Sequence, residues 1–216
     1  MPKKETILVF GAHSDDFVIG AGGTILNYAK EGKRVISVVF SYGEKSHPWI
    51  KERIIKTLRS KEAFEASKIL KCKTIFFDLK EFNFLDQVKN KEIEEQLLKI
   101  INKNKPSKIF THGNEDPHPD HQSVFKITLQ LFEKIDYLPK PSLYTYSIWN
   151  PVSFSSNYPA LYIDISKTFW TKLKALMVFK SQRLHLIYPF ILLVIRSIHY
   201  GIKIKKKAAE KFYRIK

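Results

Sequence analysis

Two short polar clusters, Ala12-His13-Ser14-Asp15-Asp16 and Pro117-His118-Pro119-Asp120-His121, stand about a hundred residues apart, each soon after an apolar, strand-like run. Such clusters act together only in a fold that brings the ends of two distant strands side by side. The segments between them alternate between strand-like and helix-like patterning, which is the pattern of a parallel sheet covered on both faces. In an open sheet of that kind, neighbouring strands end on one edge, and ligands usually bind there.

The elements follow from periodicity and punctuation. Strands are expected at Thr6 to Phe10, Val35 to Phe40, Thr74 to Phe77 and Lys108 to Thr111. Helices are expected at Gly22 to Glu31, Ile50 to Leu70, Lys91 to Ile101 and Asp120 to Phe132. After Pro139 and Pro141 come strand-like Leu143 to Ile148 and Ala160 to Ile165, then a helix from Lys167 to Phe179. With 216 residues, the chain is long enough to bury a full core. The expected fold is α/β and Rossmann-like, with a mostly parallel sheet and a basic helical C-terminal segment. Residues 1–183 are read as the domain and 184–216 as a helical extension continuous with it.

The formal net charge of +16 is unevenly placed. From Lys167 to Lys216 there are thirteen Lys or Arg and one acid, Glu210. The same stretch holds the run Leu184 to Ile195, in which only His185 and Pro189 are not apolar. That run is shorter than the roughly 20 residues a bilayer span needs. Flanked by Arg183, Arg196, Lys203, Lys205, Lys206 and Lys207, it suits an anionic membrane surface. A core or homo-oligomer contact helix with a solvated lysine tail is the other reading these residues leave open. The opening residues lack the pattern of a secretion signal, and the lone Cys72 cannot form an intrachain disulfide. A cytoplasmic location is expected, peripheral to the inner membrane face if the basic segment docks there.

Two histidines and a carboxylate can hold a divalent ion while leaving a position open, and a second carboxylate beside them can take a proton from water. His13 and Asp16 are three apart at a strand-to-helix turn, within reach of one ion, and His121 can complete a set of three ligands. Asp15 and Asp16, being adjacent, should point in different directions and divide their roles. His118 is then free to donate a proton or stabilise an oxyanion. Iron, cobalt or nickel would suit the same donors as zinc. Taken singly, each histidine reads more simply as a hydrogen-bonded residue, and Asp15 or Asp120 as a helix cap; two clusters in equivalent positions favour a site. His112, ending the fourth strand, falls close to it in this scheme, whereas His47, His185 and His199 carry no such signal.

The first cluster with its continuation, Phe17-Val18-Ile19-Gly20-Ala21-Gly22-Gly23-Thr24, resembles the Ala-His-Pro-Asp-Asp-Glu motif and glycine turn of the PIG-L/LmbE-type zinc de-N-acetylases, and His118-Pro119-Asp120-His121 is similar to that family's second motif. Weaker matches run along the chain: Arg59 and Glu62 before Ala66 and Leu70, Asp164-Ile165 with Lys172, Ala175, Ser181 and Gln182, then Gly201 and Ala209-Glu210-Lys211-Phe212. The resemblance implies that His13, Asp16 and His121 bind zinc (Zn2+), that Asp15 is the general base, and that His118 stabilises the tetrahedral intermediate or protonates the leaving amine. It implies an N-acetylated amino-sugar substrate, an N-acetylglucosamine conjugate such as a glycolipid, a sugar–organic acid or a short oligosaccharide. Asp120 is placed as an orienting partner of His118 or His121. Ser14 stands where the family usually has proline and Phe17 where it often has glutamate, which would make the pocket mouth more apolar.

Three rivals are weaker. Gly20-Ala21-Gly22-Gly23 suggests dinucleotide binding, but Ile25 occupies the last glycine position of that pattern, and the glycines are better read as letting the metal loop turn against its helix. The basic charge with Phe169, Trp170, Phe179, Phe212 and Tyr213 suggests a nucleic-acid module, yet a lysine-rich tail attracts any polyanion, so no specific nucleic acid is expected. A catalytically silent, metal-stabilised protein that binds a sugar or lipid is the third. Loops Gly43 to Trp49 and Asn150 to Pro159 are expected to set specificity.

Overall fold

A computed structural model describes residues 4–46, 49–150, 157–182, 185 and 187–216. The strands are β1 (Thr6–Gly11), β2 (Arg34–Val39), β3 (Lys73–Phe76), β4 (Lys108–His112), β5 (Ser142–Tyr146), β6 (Ala160–Asp164) and β7 (Ala209–Arg214). The helices are α1 (Asp16–Lys30), α2 (Glu52–Leu70), α3 (Phe84–Val88), α4 (Lys91–Asn104), α5 (Pro119–Glu133), α6 (Phe169–Leu176) and α7 (Ile187–Lys203). They build one sheet in the order β3-β2-β1-β4-β5-β7-β6. Strands β1 to β5 pair in parallel, and β7 runs antiparallel between β5 and β6.

Alternation along β1 sends Ile7 and Val9 to one face and Leu8 and Phe10 to the other, so this central strand is buried on both sides. On the first face lie residues of α1, α2, α6 and α7, and on the second residues of α3, α4 and α5. The chain winds outward from β1 to β3 and then resumes at β4 on the other flank of β1. Between β1 and β4 the strand order therefore reverses, and a crevice opens at their carboxyl ends.

Four features depart from the sequence reading. Helix α1 starts at Asp16 rather than Gly22, and the glycines read as a turn lie inside it. They are there for packing. A Cβ on Gly20 would collide with the Tyr146 ring of β5, and one on Gly23 would lie 2.6 Å from Ile165, so the helix can sit this close only without side chains at those points. Phe17 is completely buried in the core and does not line the pocket mouth. The short helix α3 was not anticipated. Finally, among the described residues the C-terminal segment is helical over α7 alone and continues into β7, which is woven into the sheet; Arg183 and Leu184, at the expected domain boundary, lie outside the described residues, as do His47, Pro48 and residues 151–156 of the two specificity loops.

Strand β7 also explains two of the weaker sequence matches. Glu210 and Lys172, both buried, form an ion pair of 2.6 Å against the middle of α1. Lys172 Nζ also donates to the Ile19 carbonyl at 2.7 Å. Glu210 accepts from the Gly23 and Thr24 N–H groups at 2.9 and 2.8 Å. These backbone groups belong to the interior of a helix, where they would ordinarily pair with one another. The pair thus satisfies its own charges on the helix it clamps. Burial pulls the Lys172 ammonium pKa down, while Glu210 opposes that shift. Removing one partner leaves the other charge buried alone, so Glu210→Ala should lower stability by about 3–5 kcal/mol. Lys172→Met/Glu210→Gln should lose less than the sum of its single changes. Urea unfolding of Glu210→Ala, Lys172→Met, Glu210→Gln and the double variant measures both.

Candidate active site

The crevice between β1 and β4 collects side chains from three strand ends. The loop after β1 supplies His13 and Asp15 and leads directly into Asp16; β4 and the loop after it supply His112, Asp116 and His118, and the first turn of α5 supplies His121; the loop after β3 supplies Glu81. The cleft has a volume of about 120 Å³ and is lined by His13, Asp15, Asp16, Arg59, Glu81, His118 and His121, together with Ile148, Trp149, His185 and Pro189.

Asp16 is the centre of this group. Its Oδ2 accepts from the His13 N–H at 2.7 Å and lies 3.1 Å from His112 Nε2, 3.6 Å from His121 Nε2 and 3.7 Å from His13 Nδ1. Burial alone would raise the Asp16 pKa, but His121 and His112 hold it far below the ordinary carboxylate range. His13, Asp16 and His121 each offer one donor atom, and those atoms lie within 4.8 Å of one another.

Two of the three histidines that face Asp16 with one ring nitrogen, His13 and His121, meet a carboxylate with the other. His13 Nε2 is 3.2 Å from Asp120 Oδ2 and 3.4 Å from Glu81 Oε1. His121 Nδ1 is 2.9 Å from Asp116 Oδ1. An acceptor on the far nitrogen fixes the tautomer so that the near nitrogen presents its lone pair, which is how metal-binding histidines are ordinarily held. Neither ring nitrogen of the buried His121 makes a well-directed hydrogen bond among the described residues; Nδ1 has the Asp116 carboxylate at 2.9 Å, while the nearest carboxylate to Nε2, that of Asp16, is 3.6 Å away. An unpaired nitrogen of that kind is costly unless a cation takes its lone pair. The donor set therefore fits a divalent metal such as zinc.

Asp116 was not singled out from the sequence, nor was Glu81. Asp116 is buried, and besides His121 it accepts from the His118 N–H at 3.1 Å and from Ile148 and Trp149 N–H at 3.1 and 3.2 Å. Burial alone would raise its carboxyl, but His121, His112 and the His118 N–H bring it down to about 2. Asp120, expected beside His118 or His121, instead faces His13 and accepts from the Phe82 N–H at 2.7 Å. Both overlooked acids follow a strand end closely, which is the one signal that would have found them.

Asp15 and Asp16 do point apart. Asp15 holds the N-cap position of α1, but its side chain makes no cap bond. Its Oδ1 lies 3.3 Å from the Arg59 guanidinium, while Arg59 also donates to the Gly43 carbonyl at 2.6 Å and to Ser14 Oγ at 2.9 Å. Ser14 thus helps to anchor the arginine that restrains Asp15. Burial pushes the Asp15 carboxyl above its ordinary range, and Arg59 pulls against that shift. One turn along α2 from Arg59, Glu62 accepts from the Ser181 N–H at 2.9 Å and from its hydroxyl at 2.6 Å.

His118 is the N-cap of α5, with Pro119 next to it, and its Nδ1 accepts from the Asp120 N–H at 3.2 Å. In the neutral ring the proton is then assigned to Nε2. Burial, with His13 and His121 nearby, brings the His118 pKa down to about 4, so the neutral form prevails.

Comparison with known proteins bears on this geometry. Over 189 residues the chain is 28% identical to an uncharacterized deacetylase of Escherichia coli, covering 83% of this chain and 92% of that protein. It is 26% identical over 196 residues to a 4-oxalmesaconate hydratase of Pseudomonas putida, covering 83% and 74%. Among solved structures, the N,N'-diacetylchitobiose deacetylase of Pyrococcus horikoshii superposes with a TM-score of 0.80 at 22% identity, covering 98% of this chain and 84% of that one. The family model described as GlcNAc-PI de-N-acetylase matches residues 8–132, a span that holds both polar clusters, and the chain belongs to this PIG-L family.

Proposed function

We propose that this protein is a zinc-dependent N-deacetylase that hydrolyses the acetamide of an N-acetylglucosamine conjugate. The observation that carries the reading is the pair of carboxylate-backed histidines converging on Asp16, with Asp15 beside them in the same cleft. Membership of a family with deacetylase relatives supports it.

In this reading His13, Asp16 and His121 hold the metal, Asp120 and Glu81 back His13, and Asp116 backs His121. A bound zinc ion supplies a Lewis acid for the amide carbonyl and acidifies water to a pKa of about 7. Asp15 takes a proton from the water that attacks the carbonyl carbon, and Arg59 keeps its carboxylate in line. His118 donates from Nε2 toward the developing oxyanion or the departing nitrogen. The C–N bond breaks, the amine leaves with a proton, and acetate is the second product.

The hydratase relative suggests a second reaction, water addition to an unsaturated polycarboxylate. The cleft favours the first. Asp15, Asp16 and Glu81 all line it, and the one arginine lining it among the described residues is already engaged with Asp15, Ser14 and Gly43. An uncharged acetamide enters such a site without the repulsion that a polyanion would meet.

Acetate release from a panel of N-acetylglucosamine conjugates, with zinc added or chelated, tests the assignment. Release should require metal, and Asp15→Ala should bind metal normally yet lose about 10²–10⁴-fold in turnover. Normal turnover in that variant would sink the base assignment. No release from metal-loaded protein, with water addition to an unsaturated acid, would transfer support to the hydratase reading. Asp116→Asn should weaken metal affinity about 10–100-fold, as read by competition with a chromogenic chelator.

A further inference from the structure

Helix α7 is apolar on both its inner and its outer side. Leu192, Leu193 and Ser197 are buried, and the Arg196 guanidinium donates to the backbone carbonyls of Ser147, Ile148 and Asn150. Its outer face carries Ile187, Ile191, Ile195, Ile198 and Ile202, exposed by 55%, 53%, 59%, 45% and 69%. At 3.6 residues per turn these five side chains fall within an arc of about 80°. Five isoleucines aligned on the solvent face of one helix form a contiguous apolar strip, which a soluble surface rarely presents without a use for it.

The surrounding charge indicates what covers it. No acidic residue occurs between Asp164 and Glu210, and ten Lys or Arg do. Lys203, Lys205, Lys206 and Lys207 are exposed at the end of the helix. No helix among the described residues is long and apolar enough to cross a membrane. We infer that α7 lies in the plane of an anionic bilayer surface, its isoleucine strip sunk among the acyl chains and the lysines among the headgroups. Pairing two copies through the same strip would bring two acid-free segments together, which like-charge repulsion opposes. The start of α7 also walls the cleft: Pro189 lines it, and Tyr188 stacks on Trp149 and donates to its carbonyl at 3.2 Å. Docking would therefore hold the cleft next to the membrane, whatever reaction it performs.

Vesicle co-flotation with the full chain tests the inference, using phosphatidylcholine alone and with about one third phosphatidylglycerol. Binding should require the anionic lipid and weaken at about 0.5 M salt. Joint replacement Ile191→Gln, Ile195→Gln and Ile198→Gln should reduce it about tenfold or more while the circular dichroism spectrum is kept. Joint replacement of Lys203, Lys205, Lys206 and Lys207 by Gln should remove the salt-sensitive part. Equal binding to neutral and anionic vesicles, or no binding to either, would overturn the inference. So would a dimer by light scattering that the isoleucine variant dissolves while vesicle binding is absent.

Discussion

The carboxyl edge of the sheet is organised around one oxygen atom, Asp16 Oδ2. Three histidine nitrogens and a backbone N–H converge on it from two strand ends that are distant in sequence. Taking so many dipoles and so much charge out of water is tolerable only because each far ring nitrogen of His13 and His121 meets a second carboxylate. The arrangement is held from behind by Phe82, Ile148 and Trp149 N–H groups, so loops following β3 and β5 share in fixing a site built mainly on β1 and β4.

That convergence depends in turn on how closely α1 approaches the sheet. Asp16 is the first residue of α1, and the depth of the helix is set by two glycine contacts, with Tyr146 and Ile165, and by the Lys172–Glu210 clamp. Tyr146 links the two regions directly, since its hydroxyl donates to the Phe10 carbonyl at 2.6 Å, just ahead of the metal loop. Packing, buried charge and site geometry are thus one problem solved by the same few residues.

Much of this was legible in the sequence because it is written in short-range patterns. The β1–α1 and β4–α5 junctions stand out as apolar runs followed by His and Asp at fixed spacing, and the alternation of elements implies that they share an edge. What was not legible depends on tertiary packing. The glycines from Gly20 to Gly23 suggest a turn ahead of a helix because glycine is a poor helix former, and only the side chains packed against them, Tyr146 at Gly20, Lys172 at Gly22 and Ile165 at Gly23, explain why the helix runs through them. Strand β7 is hard to read because its Glu210 is a buried charge turned toward α1 where an apolar residue would be expected. Asp116 and Glu81 sit in loops with no spacing rule, and their value comes from which histidine nitrogen they happen to face.

The place of β7 has a consequence for the order in which the protein assembles. Strand β6 has no hydrogen-bonded neighbour other than β7 among the described residues, so residues 160–164 have no place in the sheet until residues 209–214 arrive between them and β5. The same late segment delivers Glu210 to α1 across 187 positions of chain. Contacts of such long sequence separation form slowly, because loop closure precedes any reward. Until the seventh strand is in place, the first helix, with Asp16 at its head, lacks the Lys172–Glu210 clamp.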